Sequence, residues 1–351
     1  MKKLFCFALI LSLLCACFSS CGGGLLERGS AQKEILIGVS VYDQYDTFIG
    51  VLKDEFGKFV YEQRQKSGVN ISVLYESASV NQLTQNSQIE SFVSAGCDVM
   101  CVNLVDRTNA TDIIDKAKAA GIPVVFFNRE LVPDDLERWD RLYYVGAPAW
   151  QSGVIQSEIL DELCKKDLRR IDKNGDGVLQ YVMLEGEAGH QDAIMRTEGS
   201  VSSFAEKGYK LERLEDEIAN WTKDQAETKM TQWIADHGGR IELVFSNNDE
   251  MALGAITALE KAGIPQENWP VIVGVDGTPT GLAAIKAGKM QGTVFNDAKG
   301  QAEAIFALAW SLATAGKPSD SIALDNGKYI RIDYEPVTPE NVDKYIAVYS
   351  D

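Results

Sequence analysis

Histidine is nearly absent from this chain: His190 and His237 are the two in 351 residues. That scarcity argues against a His-rich metalloenzyme. Basic residues are also few, 34 Lys+Arg against 51 Asp+Glu, for a formal net charge of −17. A nucleic-acid binder neutralises phosphates with clustered Lys and Arg, so this balance speaks against that class. No G-x-G-x-x-G follows a strand-like run and there is no P-loop, which leaves nucleotide chemistry without its phosphate cradle. The apolar run Leu4–Leu14 has eleven residues and falls well short of the roughly 20 that a spanning helix needs.

What is present is ordinary for a soluble protein, with 45% hydrophobic and 24% charged residues. At roughly 100–200 residues per domain, the length predicts two domains. Met1-Lys2-Lys3 followed by Leu4–Leu14 has the form of a signal peptide. Cys6, Cys15, Cys17 and Cys21 fall in this region, and Gly22-Gly23-Gly24 follows at once. Small residues leading to a Cys and then a glycine run resemble a bacterial lipoprotein signal, in which the Cys becomes the lipidated N-terminus. Phe18-Ser19-Ser20-Cys21 and Leu14-Cys15-Ala16-Cys17 are the two candidates, with Cys21 preferred because the glycines then form the tether. The expectation is a signal peptide over 1–21, a tether over 22–33, and a periplasmic protein anchored by lipid to a membrane. Cys97, Cys101 and Cys164 remain, an odd number, and are expected to be small buried apolar residues with no disulfide framework. Cys97–Val102 is expected to form one strand.

From residue 35 onward one unit repeats: a short apolar run, a polar turn, then an amphipathic stretch. The runs are Ile35–Tyr42, Ile71–Tyr75, Val99–Val105, Pro123–Phe127, Gln180–Leu184, Leu243–Phe245, Val271–Val275 and Thr293–Phe295. Near-continuous apolar strands alternating with helices predict parallel sheets covered on both faces. The expected fold class is α/β, with two doubly wound parallel-sheet lobes. Ligands of such sheets bind outside the carboxyl ends of the strands. The residues there are dense in carboxylates and amides: Asp43, Tyr45, Asp46 and Phe48, then Asn128, then Glu185–Asp192 with Arg196 one turn into a helix, then Asn247, Asn248 and Asp249, then Asp276, then Asn296 and Asp297. Taken singly each is more often a helix cap. As a set, groups that donate and accept bidentately fit a small ligand covered in hydroxyls, a sugar. Phe48 and Trp221 add the flat apolar faces that a pyranose needs against its C–H patches.

Asp172-Lys173-Asn174-Gly175-Asp176-Gly177-Val178-Leu179-Gln180 has the form of a calcium loop. Asp172, Asn174, Asp176 and Gln180 stand at loop positions one, three, five and nine, Gly177 at six, and Val178 supplies the carbonyl at seven. Position twelve, normally a bidentate Glu, is Met183, so either the loop is an Asp/Gly turn that holds no ion or a distant carboxylate closes the sphere.

Together these segments resemble the periplasmic galactose/glucose-binding proteins that serve bacterial sugar ABC transporters. The resemblance runs from about Ile35 to about Val337. It rests on Asp46-Thr47-Phe48, Pro123–Asn128, Tyr143-Tyr144-Val145-Gly146, Gly189-His190-Gln191-Asp192 with Arg196, Asn220-Trp221, Asn247-Asn248-Asp249, Gly274-Val275-Asp276 and Gly292–Asp297. It implies that Asp46, Phe48, Asn128, His190, Asp192, Arg196, Trp221, Asn248, Asp276 and Asn296 contact the sugar. It implies that Phe48 and Trp221 sandwich the ring and that Asp46 accepts the 4-hydroxyl of either epimer. It also implies a bound Ca2+ whose missing ligand is Glu242. The lobes would be 34–146 plus 298–331 and 148–297 plus 334–351, joined by a three-segment hinge near Ala147, Ala298 and Ile332.

The function this implies is that of a monomeric, non-enzymatic protein that closes on glucose or galactose and presents it to an ABC permease. A variant of that reading also delivers the complex to a chemoreceptor. A binding protein for another monosaccharide, such as a pentose, and a sugar sensor without a transport role are the alternatives. A sugar-responsive repressor would need a basic helix-turn-helix where this chain has its signal-like start.

Overall fold

Strands and helices alternate along residues 34–349, which the computed structural model describes. The expected signal peptide, the tether, and Cys17 and Cys21 lie outside the described residues. The first half runs β1 (Glu34–Val41), α1 (Thr47–Ser67), β2 (Asn70–Ser77), α2 (Gln82–Ala95), β3 (Val99–Val102), α3 (Thr111–Ala120), β4 (Val124–Phe127), α4 (Pro133–Leu136) and β5 (Leu142–Gly146). There follow α5 (Ala149–Asp167), β6 (Leu179–Glu185), α6 (Gln191–Glu206), β7 (Leu211–Ile218), α7 (Lys223–His237), β8 (Leu243–Ser246), α8 (Asp249–Lys261), β9 (Val271–Val273), α9 (Pro279–Lys286) and β10 (Thr293–Phe295). The last elements are α10 (Ala298–Ala315), β11 (Tyr329–Arg331), β12 (Glu335–Val337) and α11 (Val342–Val348).

β11-β5-β4-β3-β1-β2 form one six-stranded sheet, parallel throughout. β7-β6-β8-β9 form the parallel sheet of the second lobe. β10 extends it through the parallel bridges Val273–Gly292 and Asp276–Phe295. β12 pairs antiparallel with β10, a departure from an all-parallel expectation. The chain passes from one sheet to the other between β5 and α5, between β10 and α10, and between β11 and β12.

Each sheet is covered on both faces, which explains the nearly continuous apolar strands. Leu52, Phe56, Leu308 and Leu312 pack on one face of the first sheet, and Ile89, Phe92, Ile113 and Ile114 on the other. In the second lobe Met230, Trp233, Ala255 and Leu259 oppose Ile155, Leu160 and Phe204. Each such side chain contributes about 1.5–3 kcal/mol by leaving water. Cys97, Cys101 and Cys164 are free and buried in these cores. The strand expected over Cys97–Val102 begins only at Val99, because Gly96 ends α2 in a left-handed turn and Cys97 still bonds back to Phe92. Among the described residues no helix is long and apolar enough to cross a membrane.

Candidate functional site

The carboxyl ends of the two sheets face one narrow cavity, lined by Tyr42, Asp46, Phe48, Asn128, Arg129, His190, Asp192, Arg196, Trp221 and Asp276. Eight of the ten expected sugar contacts are in this lining. Asn248 and Asn296 are not. Asn248 caps α8 by accepting from Met251 N at 2.9 Å, and its Nδ2 donates to the Trp221 carbonyl at 3.1 Å. Asn296 donates to Asp276 Oδ1 at 3.3 Å and accepts from Gln301 Nε2 at 2.6 Å. Both amides stand behind a lining residue and hold it.

Capping and lining turn out not to be exclusive. Asp46 caps α1 through Oδ1, which accepts from Ile49 N at 2.8 Å, while Oδ2 accepts from the Tyr42 hydroxyl at 2.5 Å. His190 caps α6: its Nδ1 accepts from Asp192 N at 3.0 Å. That bond places the imidazole proton on Nε2. Burial, reinforced by the positive charges of Arg129 and Arg196, pushes the His190 pKa well down, so the ring is neutral.

Arg196 is the polar centre of the second lobe and is buried, 4% exposed. Its Nη1 donates to the Asn247 carbonyl at 2.8 Å and lies 3.7 Å from Asp276 Oδ1. Its Nη2 reaches the Tyr334 hydroxyl at 3.0 Å and Asp192 Oδ2 at 3.4 Å. Burial raises the pKa of Asp192 and pushes that of Asp276 up to about 8, with Arg196 opposing both shifts. The buried Nε of Arg196, Nε of Arg129 and Nε1 of Trp221 have no hydrogen-bond partner. Unpaired buried donors are costly, and a hydroxyl-bearing ligand would satisfy them.

The backbone is strained at the same place. Asn128 has φ 60°, Trp221 φ 63° and Asp276 φ 111°, a left-handed region that costs non-glycine residues about 1–3 kcal/mol each. The Trp221 indole lies so close over Gly186 that any Cβ there would overlap it. His190 meets Trp221 edge to face at 5.0 Å.

Tyr42 and Arg129 were not singled out from sequence. Arg129 directly follows Asn128 at the end of β4, so the strand-end criterion already covered it. It stacks over the Tyr42 ring at 3.6 Å and bonds to the Val105 carbonyl at 2.8 Å. The lining contains no Ser, Thr, Cys or Lys, and His190 has its Nδ1 engaged. The set recognises hydroxyls; it has no nucleophile and base in partnership.

The loop before β6 adopts the geometry of its sequence motif. Asp172 accepts from Gly175 N at 2.8 Å and Gly177 N at 3.0 Å, Asn174 from Asp176 N at 2.8 Å, and Asp176 from Val178 N at 2.8 Å. Gly175 and Gly177 have φ of 73° and 76°, which favours glycine at both. Glu242 is fully buried, and it accepts from Lys173 N at 2.7 Å and Gln180 N at 3.1 Å. It therefore closes over the loop from the start of β8. Among the described residues no three His, Cys, Asp or Glu side chains converge as a ready metal cluster. A hard-cation site here would draw half its oxygens from Asn174, Gln180 and the Val178 carbonyl, and the donor set fits such an ion.

Residues 37–318 match the periplasmic binding protein domain, and the chain belongs to that family. It is a family of substrate-binding, non-enzymatic proteins. The chain is 33% identical over 312 residues to the D-galactose/methyl-galactoside binding periplasmic protein of Haemophilus influenzae, covering 88% of this chain and 91% of that one. It is 34% identical over 302 residues to a putative rhizopine-binding protein of Rhizobium meliloti, covering 85% and 90%. Among solved structures it resembles an ABC transporter solute binding protein from Bacillus halodurans with bound myo-inositol, at 33% identity and TM-score 0.73, covering 90% of this chain and 98% of that one.

Proposed function

We propose that this protein binds D-glucose or D-galactose between its lobes and delivers it to a membrane ABC permease. The observation that carries the reading is the cavity itself. Three carboxyl groups (Asp46, Asp192, Asp276), two guanidiniums and an amide converge on one cavity, with Phe48 and Trp221 on its wall. Such groups pair with hydroxyls that each donate and accept. The Haemophilus relative's name supports a hexose. The myo-inositol of the Bacillus structure favours a second reading, a ring polyol without an anomeric centre. Titration calorimetry with glucose, galactose, ribose, xylitol and myo-inositol separates these. Tight binding of ribose alone would overturn the hexose assignment. Replacing Asp46 with Ala should weaken hexose binding by on the order of 2–4 kcal/mol, because a charge-assisted acceptor is lost.

Two further assignments accompany it. The loop Asp172–Gln180 with Glu242 holds a structural Ca2+, through Asp172, Asn174, Asp176, the Val178 carbonyl, Gln180 and Glu242. The chain is lipid-anchored through Cys21 or Cys17 on the periplasmic side of a membrane. A chemoreceptor is a further partner for the closed complex.

A further inference from the structure

Asn103 is fully buried at the end of β3 and lines no part of the cavity. Its side chain nevertheless joins two residues that do, Tyr42 after β1 and Asn128 after β4. Its Oδ1 accepts from Tyr42 N at 3.2 Å. Its Nδ2 donates to the Phe127 carbonyl at 3.2 Å and to Asn128 Oδ1 at 3.0 Å.

Two of these partners are main-chain groups, and they remove the usual ambiguity between amide oxygen and nitrogen. A backbone N–H can only donate, so the Asn103 atom facing Tyr42 is the oxygen. A backbone carbonyl can only accept, so the Asn103 atom facing Phe127 is the nitrogen. The same nitrogen meets the Asn128 side chain, which must therefore turn its own oxygen inward. Asn128 Nδ2 is left for the cavity. The Asn128 backbone cannot undo this by shifting, because its N–H bonds to Val145 O at 3.0 Å and its carbonyl accepts from the Tyr144 hydroxyl at 2.8 Å. Asn103 is itself held: its N–H bonds to Ser40 O at 2.8 Å, and its carbonyl accepts from the buried Gln85 at 2.9 Å.

We infer that Asn103 is a positioning residue for specificity: it locks the polarity of Asn128, so that Asn128 is a pure donor to one hydroxyl of the ligand. With Asp46 a pure acceptor on the same lobe, the first lobe then reads one ligand oxygen as acceptor and another as donor. The inference rests on the polyol-binding reading for its ligand, but the amide orientation does not.

The test is a cycle between protein and ligand. The parent, Asn103→Asp and Asn128→Ala are titrated with glucose, galactose and the monodeoxy analogues of each. Burial favours the neutral acid, so the titrations are run at alkaline pH, where an ionised Asp at 103 can only accept and therefore turns the Asn128 nitrogen away from the cavity. Asn103→Asp should weaken hexose binding by on the order of tenfold, the worth of one inverted buried hydrogen bond. That loss should vanish for a single deoxy analogue, the same one for which Asn128→Ala costs nothing. A loss spread evenly over all analogues would mean a merely structural role and overturn the inference. If the Asp variant does not fold, Asn103→Ser serves, since its hydroxyl can accept from Tyr42 N but is too short to hold Asn128. Side-chain amide NMR of the sugar-free protein gives a readout independent of the ligand. The Asn128 NH2 pair should exchange freely in the parent and become protected in Asn103→Asp; equal protection in both would also overturn the inference. Failure of the hexose reading shows differently, as a parent that binds neither sugar.

Discussion

Arg129, on the first lobe, donates through Nη2 to Oε2 of Glu187, on the second, at 2.7 Å. The guanidinium is 4% exposed and the carboxylate 30%, so the pair is shielded more than a surface ion pair and joins the two lobes beside the cavity. Arg129 also stacks on Tyr42, whose hydroxyl donates to Asp46. Arg129 thus links the contact between the lobes to the lining of the site through one side chain.

Replacing Glu187 with Gln should therefore weaken sugar binding several-fold and mostly speed dissociation, because the open state gains relative to the closed one. Stopped-flow kinetics separate the two rates. The variant should also bind with less salt dependence than the parent. An unchanged dissociation rate would exclude the pair from closure.

Asp276 is one source of pH dependence, beside the buried Asp249, whose pKa burial raises to about 7. The Asp276 pKa of about 8 in the sugar-free fold lies above the ordinary carboxyl value. A raised folded pKa means the native state holds the proton more tightly than the unfolded chain. Its stabilising contribution is then complete below about pH 4, falls as pH rises, and is gone above about 8. Ligand hydroxyls donating to the carboxylate favour the charged form and lower this pKa. Sugar binding near pH 7 should release protons, seen as calorimetric enthalpies that vary with the ionisation heat of the buffer. In Asp276→Asn that variation should shrink.

Chelation of Ca2+ should lower the melting temperature while leaving hexose affinity nearly unchanged when measured below it. An ion bound only by the folded state adds about 2.7 kcal/mol at a hundredfold excess over Kd. The loop sits before β6, at its amino end, whereas His190 and Arg196 follow its carboxyl end. β6 spans seven residues, about 23 Å at 3.3 Å each. Glu242→Gln should reproduce most of the loss of stability. Abolished sugar binding in a chelated protein that stays folded by circular dichroism would show the two sites to be coupled.

Radiolabelled fatty acid should appear on the exported protein, and replacing both Cys17 and Cys21 with Ser should abolish the label. Labelling that persists in the double variant would place the anchor elsewhere.

The alternation of strands and helices, and hence the doubly wound lobes, could be read in the chain because a strand buried on both faces must be apolar throughout. The two lobes of the fold follow from that pattern. The edge strand β2 is legible as Ile71–Tyr75, but the other edges escaped the same reading, and so did the buried β5. β7 is Leu-Glu-Arg-Leu-Glu-Asp-Glu-Ile, half solvated at the margin of its sheet, and β11 and β12 have three residues each. Their pairing depends on partners far away in sequence: β11 meets β5, and β12 turns antiparallel to β10. Asp46, Asn128, Asp192 and Asp276 were legible because polar groups at the carboxyl ends of parallel strands have one common destination. What each does there was not. That Asn248 and Asn296 stand behind Trp221 and Asp276, that Asn128 shows its nitrogen, and that Arg129 reaches across to Glu187 all depend on hydrogen bonds between residues distant in the chain. Residue type sets which bonds a group can make, and only the packed backbone decides which partner comes within 3 Å of it.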